Sequence, residues 1–276
     1  MMEVADFFVK NRVILGSSSK WRRQVLERRG CPCGQISPAI DEKQIRHDDP
    51  VVLVTMLANK KADACLENLK KTSPSSVFPD GYVYHLHARS SPETGGIGTN
   101  MAVPNNSGTV LPSYPSWLIC SDQVAVFRNS IREKPANRDE GEAFLRDYSG
   151  SGDPVQVINA TVLVNSYSKR RIERIDKGAA WFRHIPDADI KEILDKGLVL
   201  ACAGGFAIDD EIMSKYVERI DGEEECFMGL PMSSFGKLIE GAIAQEGGPL
   251  SAGVQKCARG STDLPSADPR VTWADE

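Results

Sequence analysis

One segment near the start of the chain combines groups that bind phosphate. Residues 13–15 are apolar and predict a buried strand, which stops at Gly16 before three serines and two arginines. The free N–H groups and positive dipole end of a following helix, the hydroxyls and the guanidinium groups would converge there. The alternative is that one serine only caps the helix and the arginines face water. The candidate phosphate-binding residues are Ser17, Ser19, Arg22 and Arg23.

Carboxylates that could act beside such a phosphate occur at two places. Asp41 and Glu42 follow a Ser-Pro turn, which predicts that they project from a loop, although adjacent acids are more often surface charge. Asp122 follows the apolar run 117–120, which predicts a buried strand. Open α/β sheets keep their reactive groups at the carboxyl ends of strands, so Asp122 is the leading catalytic candidate.

Two lysines could add positive charge to the same site. Lys61 lies within a helical pattern that begins at Pro50, where the commoner interpretation is an exposed lysine on a solvated face. Lys134 precedes Pro135, which predicts a lysine held on a fixed loop. Spacing alone does not decide whether either lysine is functional.

Hydrophobic periodicity predicts the elements that position these residues. Gly204 and Gly205 lie in a loop of small residues, where glycines would let the backbone approach a flat ligand. The predicted helices span 20–29, 50–69, 137–147, 186–196 and about 229–244. The predicted strands span 13–15, 31–36, 117–120 with 124–127, the hairpin arms 155–165 and 171–182, and 216–221.

Two stretches do not have the composition of a folded core. Residues 72–116 are rich in Pro, Ser, Gly and Asn and are longer than ordinary loops, so they predict an insertion. His85 and His87 have a metal-like spacing there, but no carboxylate or cysteine is nearby, so we do not expect a metal site. The expected organisation is an N-terminal extension over 1–10, one domain over 11–240 and a disordered tail over 241–276.

Composition excludes several classes of function. The 276 residues carry a formal net charge of −5, which argues against general binding to nucleic acid or a membrane surface. The seven cysteines include no paired CxxC motif, which favours reduced thiols in the cytoplasm over structural zinc. No signal peptide or membrane-spanning run is evident. We therefore expect a cytoplasmic protein with a small-molecule partner.

Eight short motifs occur in a specific order along the chain. They are GSSSKWRR (16–23), SPAIDE (37–42), LANKKA (57–62), SDQV (121–124), EKP (133–135), YSG (148–150), AGGF (203–206) and GLP (229–231). This ordered set resembles the Maf, or septum-formation, family of nucleoside triphosphate pyrophosphatases. The resemblance covers about 11–71 and 117–240 and leaves out the insertion and the tail. It implies an elongated α/β fold akin to inosine triphosphate pyrophosphatases, with a mixed sheet and a nucleotide cleft between two lobes.

The reaction that the resemblance implies is hydrolysis between the α- and β-phosphates with Mg²⁺, or Mn²⁺ or Co²⁺ in its place. Such chemistry needs an anion cradle, carboxylates that hold the metal and orient water, and cations on the leaving pyrophosphate. Asp122 matches the family's proton acceptor, and Glu42 is the second metal-binding carboxylate. Lys61 and Lys134 supply the cations. A homodimer is a further expectation.

Three positions resemble the 7-methyl-GTP branch of this family. Trp21, Gln123 and Asp209 stand where that branch has Trp, Gln and Glu, so Asp209 is a shortened match. The alternatives are a dTTP/UTP pyrophosphatase and a nucleotide-binding regulator of cell division without turnover. Trp21 is expected to stack on a cationic base, or alternatively only to pack against a helix. The sequence departs from the family at Lys20, Glu133 and Asn159-Ala160, where Pro, Gly and Thr-Gly are usual.

Overall fold

The structure, a computed structural model, describes residues 4–72, 74–78 and 116–245 and has a mixed α/β fold. The strands are β1 (Arg12–Leu15), β2 (Gly34–Gln35), β3 (Ser116–Phe127), β4 (Ser130–Arg132), β5 (Val155–Asn165), β6 (Arg171–Phe182) and β7 (Val217–Asp221). The helices are α1 (Val4–Lys10), α2 (Lys20–Arg28), α3 (Pro50–Leu69), α4 (Pro74–Val77), α5 (Arg138–Tyr148), α6 (Asp187–Lys196), α7 (Glu224–Phe227) and α8 (Met232–Gln245). Short 3-10 turns connect several of them.

The strands form one seven-stranded mixed sheet in the order β2-β1-β3-β5-β6-β7, with β4 joined to β3. Along one edge, β3 pairs antiparallel with β5 from Trp117 to Val126. Along its other edge, β3 pairs first with β1, in parallel, and later with β4, antiparallel. Between them, residues 120–124 have no strand partner on that edge within the described parts of the chain. The sheet is therefore open at Asp122.

Local sequence accounts for where the principal elements begin and turn. Asp49 caps α3 with its carboxylate, and Pro50 occupies the first helical turn, where its missing N–H costs nothing. Asn137 caps α5 in the same way. Arg128 and Asn129 both have positive φ, as a two-residue hairpin turn between β3 and β4 requires.

Three buried clusters fix the layers around the sheet. Alternate residues of β3, such as Leu118 and Val124, pack under α3, while Trp117 and Ile119 face α1 and α8 on the opposite side. The far end of the sheet packs against α5 and α6. Because side chains alternate along a strand, Asp122 faces α3, whereas Gln123 faces the opposite layer.

The structure corrects the predicted surroundings of two candidates. Asp122 does not follow the end of a strand, because β3 continues unbroken to Phe127. Three polar residues separate two apolar runs in the sequence, which suggested that the strand was interrupted there. In the structure both apolar runs belong to the same strand. Gly204 and Gly205 lie closely against other protein segments: a Cβ on Gly204 would lie 2.5 Å from Ala125 Cβ, and one on Gly205 would lie 2.9 Å from Pro135 Cγ. These glycines allow close packing between protein segments.

Both ends of the expected domain extend further than the sequence boundaries. Phe7 and Phe8 of α1, in the stretch that we separated as an extension, are buried against Trp117 and Phe235. Helix α8 continues past the expected boundary at 240 to residue 245. Residues 246–276 lie outside the described residues.

The expected insertion also begins with ordered structure. Val77 at the end of α4 is buried in the cluster under α3, and Phe78 packs against that cluster. The remaining residues, 79–115, lie outside the described parts of the chain, and the expectation for His85 and His87 falls there. Across the described ranges, no helix combines the length and the apolar composition that a membrane crossing needs.

Candidate active site

A cavity of about 750 Å³ lies at the open edge of β3. Its lining comes from the β1–α2 turn, the Glu42 loop, α3, the middle of β3 and the loop over 201–209. All but one of the sequence-predicted site residues line this cavity. They are Ser17, Ser19, Trp21, Arg22, Glu42, Lys61, Asp122, Gln123, Lys134 and Asp209.

The β1–α2 turn forms the end of the cavity that contains the candidate phosphate-binding residues. Ser19 caps α2 by accepting from the Arg22 backbone N–H at 3.4 Å. The alternative that the arginines face water does not hold for Arg22, which lines the cavity. Ser17 Oγ accepts from the Ser19 N–H and from Arg22 Nη1, both at 3.2 Å. Gly16 permits this turn because a Cβ there would lie 2.4 Å from Cys120 Sγ. Both hydroxyls keep a proton that they can donate to an anion.

Arg22 is held in place by the chain more than 200 residues away. Its Nε donates to the carbonyl of Gly229 at 3.0 Å, and Ser121 Oγ donates to the same carbonyl at 2.9 Å. Burial lowers the pKa of Arg22, while the charges of Asp122 and Glu42 oppose that shift. The GLP motif therefore positions a guanidinium group beside the carboxylates. The sequence alone did not predict this role for the motif, because it depends on a contact between distant parts of the chain.

Arg23 is the candidate that the structure does not bring into this cavity. Its Nε donates to Glu27 at 2.8 Å, and its Nη1 donates to Gln35 at 2.8 Å. It lines a neighbouring cavity of about 410 Å³, which shares Ser17 with the larger one. Along α2, residues 22 and 23 differ by about 100° in direction, so adjacent arginines face different sides.

Lys61 lies between the two candidate carboxylates. Its Nζ is 3.0 Å from Glu42 Oε1 and forms a closer ion pair with Asp122. The side chains of Lys61 and Asp122 are 6% and 8% exposed, whereas that of Glu42 is 51% exposed. The interpretation of Lys61 as an exposed helix lysine is therefore wrong.

The charge of Asp122 is set by opposing effects. Burial raises the pKa of its carboxyl above the ordinary value, and the positive charges of Lys61 and Arg22 oppose this shift. The negative charge of Glu42 raises the pKa further. A carboxylate with a raised pKa is a stronger base than a free aspartate, which suits proton abstraction from water.

Asp122 and Glu42 also suit a divalent cation. Both contact the same Lys61 Nζ, so their oxygens lie within reach of one ion, and Mg²⁺ is commonly bound by one or two carboxylates plus substrate phosphates. Among the described residues no group of three or more His, Cys, Asp or Glu side chains is placed to hold a metal ion.

Aromatic and polar groups line the other part of the cavity. Lys20 Nζ lies 4.5 Å from the ring centroid of Trp21, so a cation already covers one face of the indole. Gln123 Nε2 donates to the Cys226 carbonyl at 2.7 Å and to the Phe227 carbonyl at 3.4 Å. Asp209 is exposed on the loop that follows the glycines.

Cys202 lies near three of the charged groups at this end of the cavity. Burial raises the pKa of its thiol to about 11, with Asp209 raising it further and Lys134 and Lys20 lowering it. Cys202 is therefore a neutral thiol at physiological pH. Lys134 is exposed and lies beside Pro135 on a loop, and the predicted loop position is confirmed.

Comparison with known proteins identifies the family of this chain. The Maf-like protein family matches residues 12–242. A 7-methyl-GTP pyrophosphatase of Dictyostelium discoideum is 31% identical over 82% of this chain and 95% of its own length. A 7-methyl-GTP pyrophosphatase of Vibrio vulnificus is 26% identical over 86% and 95%, and a dTTP/UTP pyrophosphatase of Polaromonas sp. is 25% identical over 87% and 98%. This chain therefore belongs to the Maf-like protein family.

Proposed function

We propose that this chain hydrolyses nucleoside triphosphates between the α- and β-phosphates, releasing a monophosphate and pyrophosphate. The observation that carries the proposal is the shielded Lys61–Asp122 pair in the wall of a cavity that also contains Arg22 and the start of α2. A buried carboxylate beside an anion site is suited to activating water against a phosphate. Relatives named as pyrophosphatases and matched over nearly their whole length support the same reaction.

In the proposed reaction, Asp122 takes a proton from a water that attacks the α-phosphorus. The bond from that phosphorus to the bridging oxygen breaks, and the pyrophosphate leaves with the bonding electrons. Lys61 keeps Asp122 ionised, and Arg22 stabilises the developing negative charge. Lys134 balances charge on the leaving group. A divalent ion, Mg²⁺ or alternatively Mn²⁺ or Co²⁺, would be held by Glu42 and Asp122 and would supply further charge neutralisation.

We propose that the opening in the sheet is a nucleotide cleft between two lobes of an elongated fold akin to inosine triphosphate pyrophosphatases. Separate buried clusters support this arrangement: one lies under α3, and another lies among α5, α6 and the far end of the sheet. The phosphates would lie at the β1–α2 turn. The base would lie between Trp21 and the loop that carries Asp209.

The proposed substrate is 7-methyl-GTP. Methylation at N7 makes the guanine ring cationic, and a cation gains affinity from an indole face such as that of Trp21. Asp209 can accept from the guanine N1–H and exocyclic amine, a donor pattern that a pyrimidine lacks. The second candidate is dTTP or UTP, which the name of the Polaromonas relative favours.

The cellular setting of this proposal is the cytoplasm. Six described cysteines are unpaired, including Cys31 and Cys33, which supports a reducing compartment. A homodimer remains a prediction, as does the lack of nucleic-acid and membrane partners.

The test of this function is pyrophosphate release by the purified protein with Mg²⁺ and a set of nucleotides. We expect turnover of 7-methyl-GTP, with a higher kcat/KM than for GTP or UTP. Higher kcat/KM for UTP would favour the second candidate. Nucleotide binding without release from any substrate would instead support the regulator of cell division.

A further inference from the structure

The buried amide of Asn159 and the half-buried amide of Gln123 converge on one backbone carbonyl beneath the base end of the cavity. Asn159 on β5 lies directly opposite Gln123 on β3 in the sheet register. Asn159 Nδ2 donates to the Cys226 carbonyl at 3.0 Å, and Gln123 Nε2 donates to the same oxygen at 2.7 Å. The Gly229 backbone N–H donates to this oxygen as well, at 3.2 Å, so three donors converge on it. Cys226 thereby connects Asn159 to a residue that lines the cavity.

The arrangement fixes which end of the Gln123 amide can meet a ligand. Its Nε2 also donates to the Phe227 carbonyl at 3.4 Å, so both N–H bonds point to backbone oxygens. Turning the amide over would place its oxygen against two carbonyls, which is unfavourable. Oε1 is the polar atom that remains, and it has no hydrogen-bond partner among the described residues. Gln123 therefore presents an acceptor to the cavity.

The buried position of Asn159 lowers the stability of the folded state. The residue is fully buried, and its Oδ1 has no hydrogen-bond partner in the described structure. An unsatisfied buried oxygen is destabilising, and an apolar side chain would avoid the cost. The group that Asn159 does satisfy is the carbonyl that orients Gln123.

We propose that Asn159 is a positioning residue that holds Gln123, through the Cys226 carbonyl, as a hydrogen-bond acceptor for a purine carrying a 2-amino group. This inference rests on the proposed function and deepens it. The 2-amino group of guanine is a donor that an acceptor-only side chain can recognise, and inosine lacks that group while keeping the rest of the base. Asp209 is also proposed to accept from this amine, so the contact is measured by the change in the GTP-to-ITP ratio of kcat/KM between the parent and variants that keep Asp209.

The experiment compares Asn159→Ala with the parent and with Thr161→Ala. Thr161 is the next residue of β5 that faces the same side, is buried, and has a hydroxyl without a partner among the described residues, so it is a matched control. We expect Asn159→Ala to lower the GTP-to-ITP ratio roughly threefold to tenfold through a higher KM for GTP. The kcat of Asn159→Ala for GTP, and its kcat and KM for ITP, should stay near those of the parent. Thr161→Ala should leave the ratio unchanged even if its melting temperature falls equally.

A double-mutant cycle separates positioning from a general loss of structure. Gln123→Leu alone should lower the GTP-to-ITP ratio, and adding Asn159→Ala should lower it no further, because the first residue acts through the second. Asn159→Thr provides a smaller change if the alanine variant does not fold. Equal losses for GTP and ITP in the Asn159 variants would overturn the proposal, as would the same ratio shift in Thr161→Ala.

Equilibrium binding keeps this inference distinguishable from the proposed function. Affinities are measured for α,β-methylene analogues of GTP and ITP, whose α–β linkage cannot be hydrolysed by the proposed reaction. If the parent releases no pyrophosphate from any nucleotide, the proposed function fails. The binding ratio still decides the role of Asn159: a lower ratio in Asn159→Ala alone supports it, and an unchanged ratio contradicts it.

Discussion

Lys61 of α3 and Asp122 of β3 form an ion pair in which both side chains are almost completely shielded from solvent. A buried charge is costly unless it is paired, and removing one partner leaves the other uncompensated. Asp122 has no other protein hydrogen-bond donor among the described residues. The ion pair therefore positions the Asp122 carboxylate at the opening of the sheet.

We expect Asp122→Asn to abolish most turnover while the fold and nucleotide binding persist. The amide keeps the shape of the side chain but removes the base and the metal-binding charge. The expected fall in kcat is about 10²–10⁴-fold, the range of a lost general base. Pyrophosphate release and binding of a nonhydrolysable analogue measure the two effects. Activity near that of the parent would show that Asp122 is not the base.

The raised pKa of Asp122 also predicts a pH-dependent difference in stability. Because burial raises the pKa in the folded state above the unfolded value, the native state binds the extra proton between those two values. The contribution of Asp122 to the free energy of unfolding is therefore present at low pH. It is lost as the pH rises through the pKa of Asp122 in the folded state. Melting curves of parent and Asp122→Asn with EDTA, from pH 4 to pH 8, measure this effect. The variant should gain stability relative to the parent as pH rises, and a parallel pair of curves would contradict the shift.

Trp21→Ala should reduce the preference for 7-methyl-GTP over GTP. A cation on an indole face gains roughly 0.5–2 kcal/mol, so the ratio of kcat/KM values should fall about twofold to thirtyfold. Residual GTP hydrolysis should change much less. If Trp21 only packs against neighbouring residues, the variant will lose stability while the substrate ratio stays constant.

Replacing Lys20 should have the opposite effect on the same ratio. Its ammonium group covers the Trp21 ring and repels a cationic base that approaches it. Lys20 is the first residue of α2, a position where proline is well tolerated, so Lys20→Pro should fold normally. We expect roughly a twofold to fivefold gain in affinity for 7-methyl-GTP relative to GTP. Lys20→Met, which keeps the apolar stem without the charge, should give the same gain, and no gain in either variant would exclude competition by Lys20.

Deletions within 72–116 should separate ordered from dispensable sequence. Removing 80–114 with a short Gly-Ser bridge should leave the melting temperature within a few degrees of the parent, since that composition cannot build a core. Extending the deletion to start at 74 also removes the buried Val77. Losing that side chain costs roughly 1.5–3 kcal/mol, which corresponds to about 3–12 °C. Equal melting temperatures for both deletions would show that α4 does not contribute.

The sequence predicted best the features that are encoded locally. The hairpin arms over 155–165 and 171–182 follow from apolar and β-branched residues, and the predicted helix that begins at Pro50 is confirmed over 50–69. Residues 201–210 were harder to interpret, because glycines that permit packing against protein resemble glycines that permit packing against a ligand. Only the tertiary structure distinguishes these two uses.

The sequence predicted which residues belong to the candidate site more accurately than it predicted the surroundings of those residues. Ten of the predicted residues share one cavity, but the burial of Lys61 depends on its contact with a strand some 60 residues later. Arg23 was included because it is next to Arg22, although neighbouring helix positions face different directions. Asn159 attracted notice only as a departure from the family, since its role depends on a carbonyl from another segment.

The Gly229 carbonyl, which binds both Arg22 and Ser121, determines when the site can form during folding. Those contacts span 207 and 108 residues, so forming them requires long loops to close. No local interaction in a partly folded chain favours that closure. A chain that has emerged only as far as β6 during synthesis lacks this acceptor, and its Arg22 is not anchored. We therefore expect nucleotide affinity to arise late in folding, and a ligand added during refolding would report closure of these long-range contacts rather than formation of the phosphate loop itself.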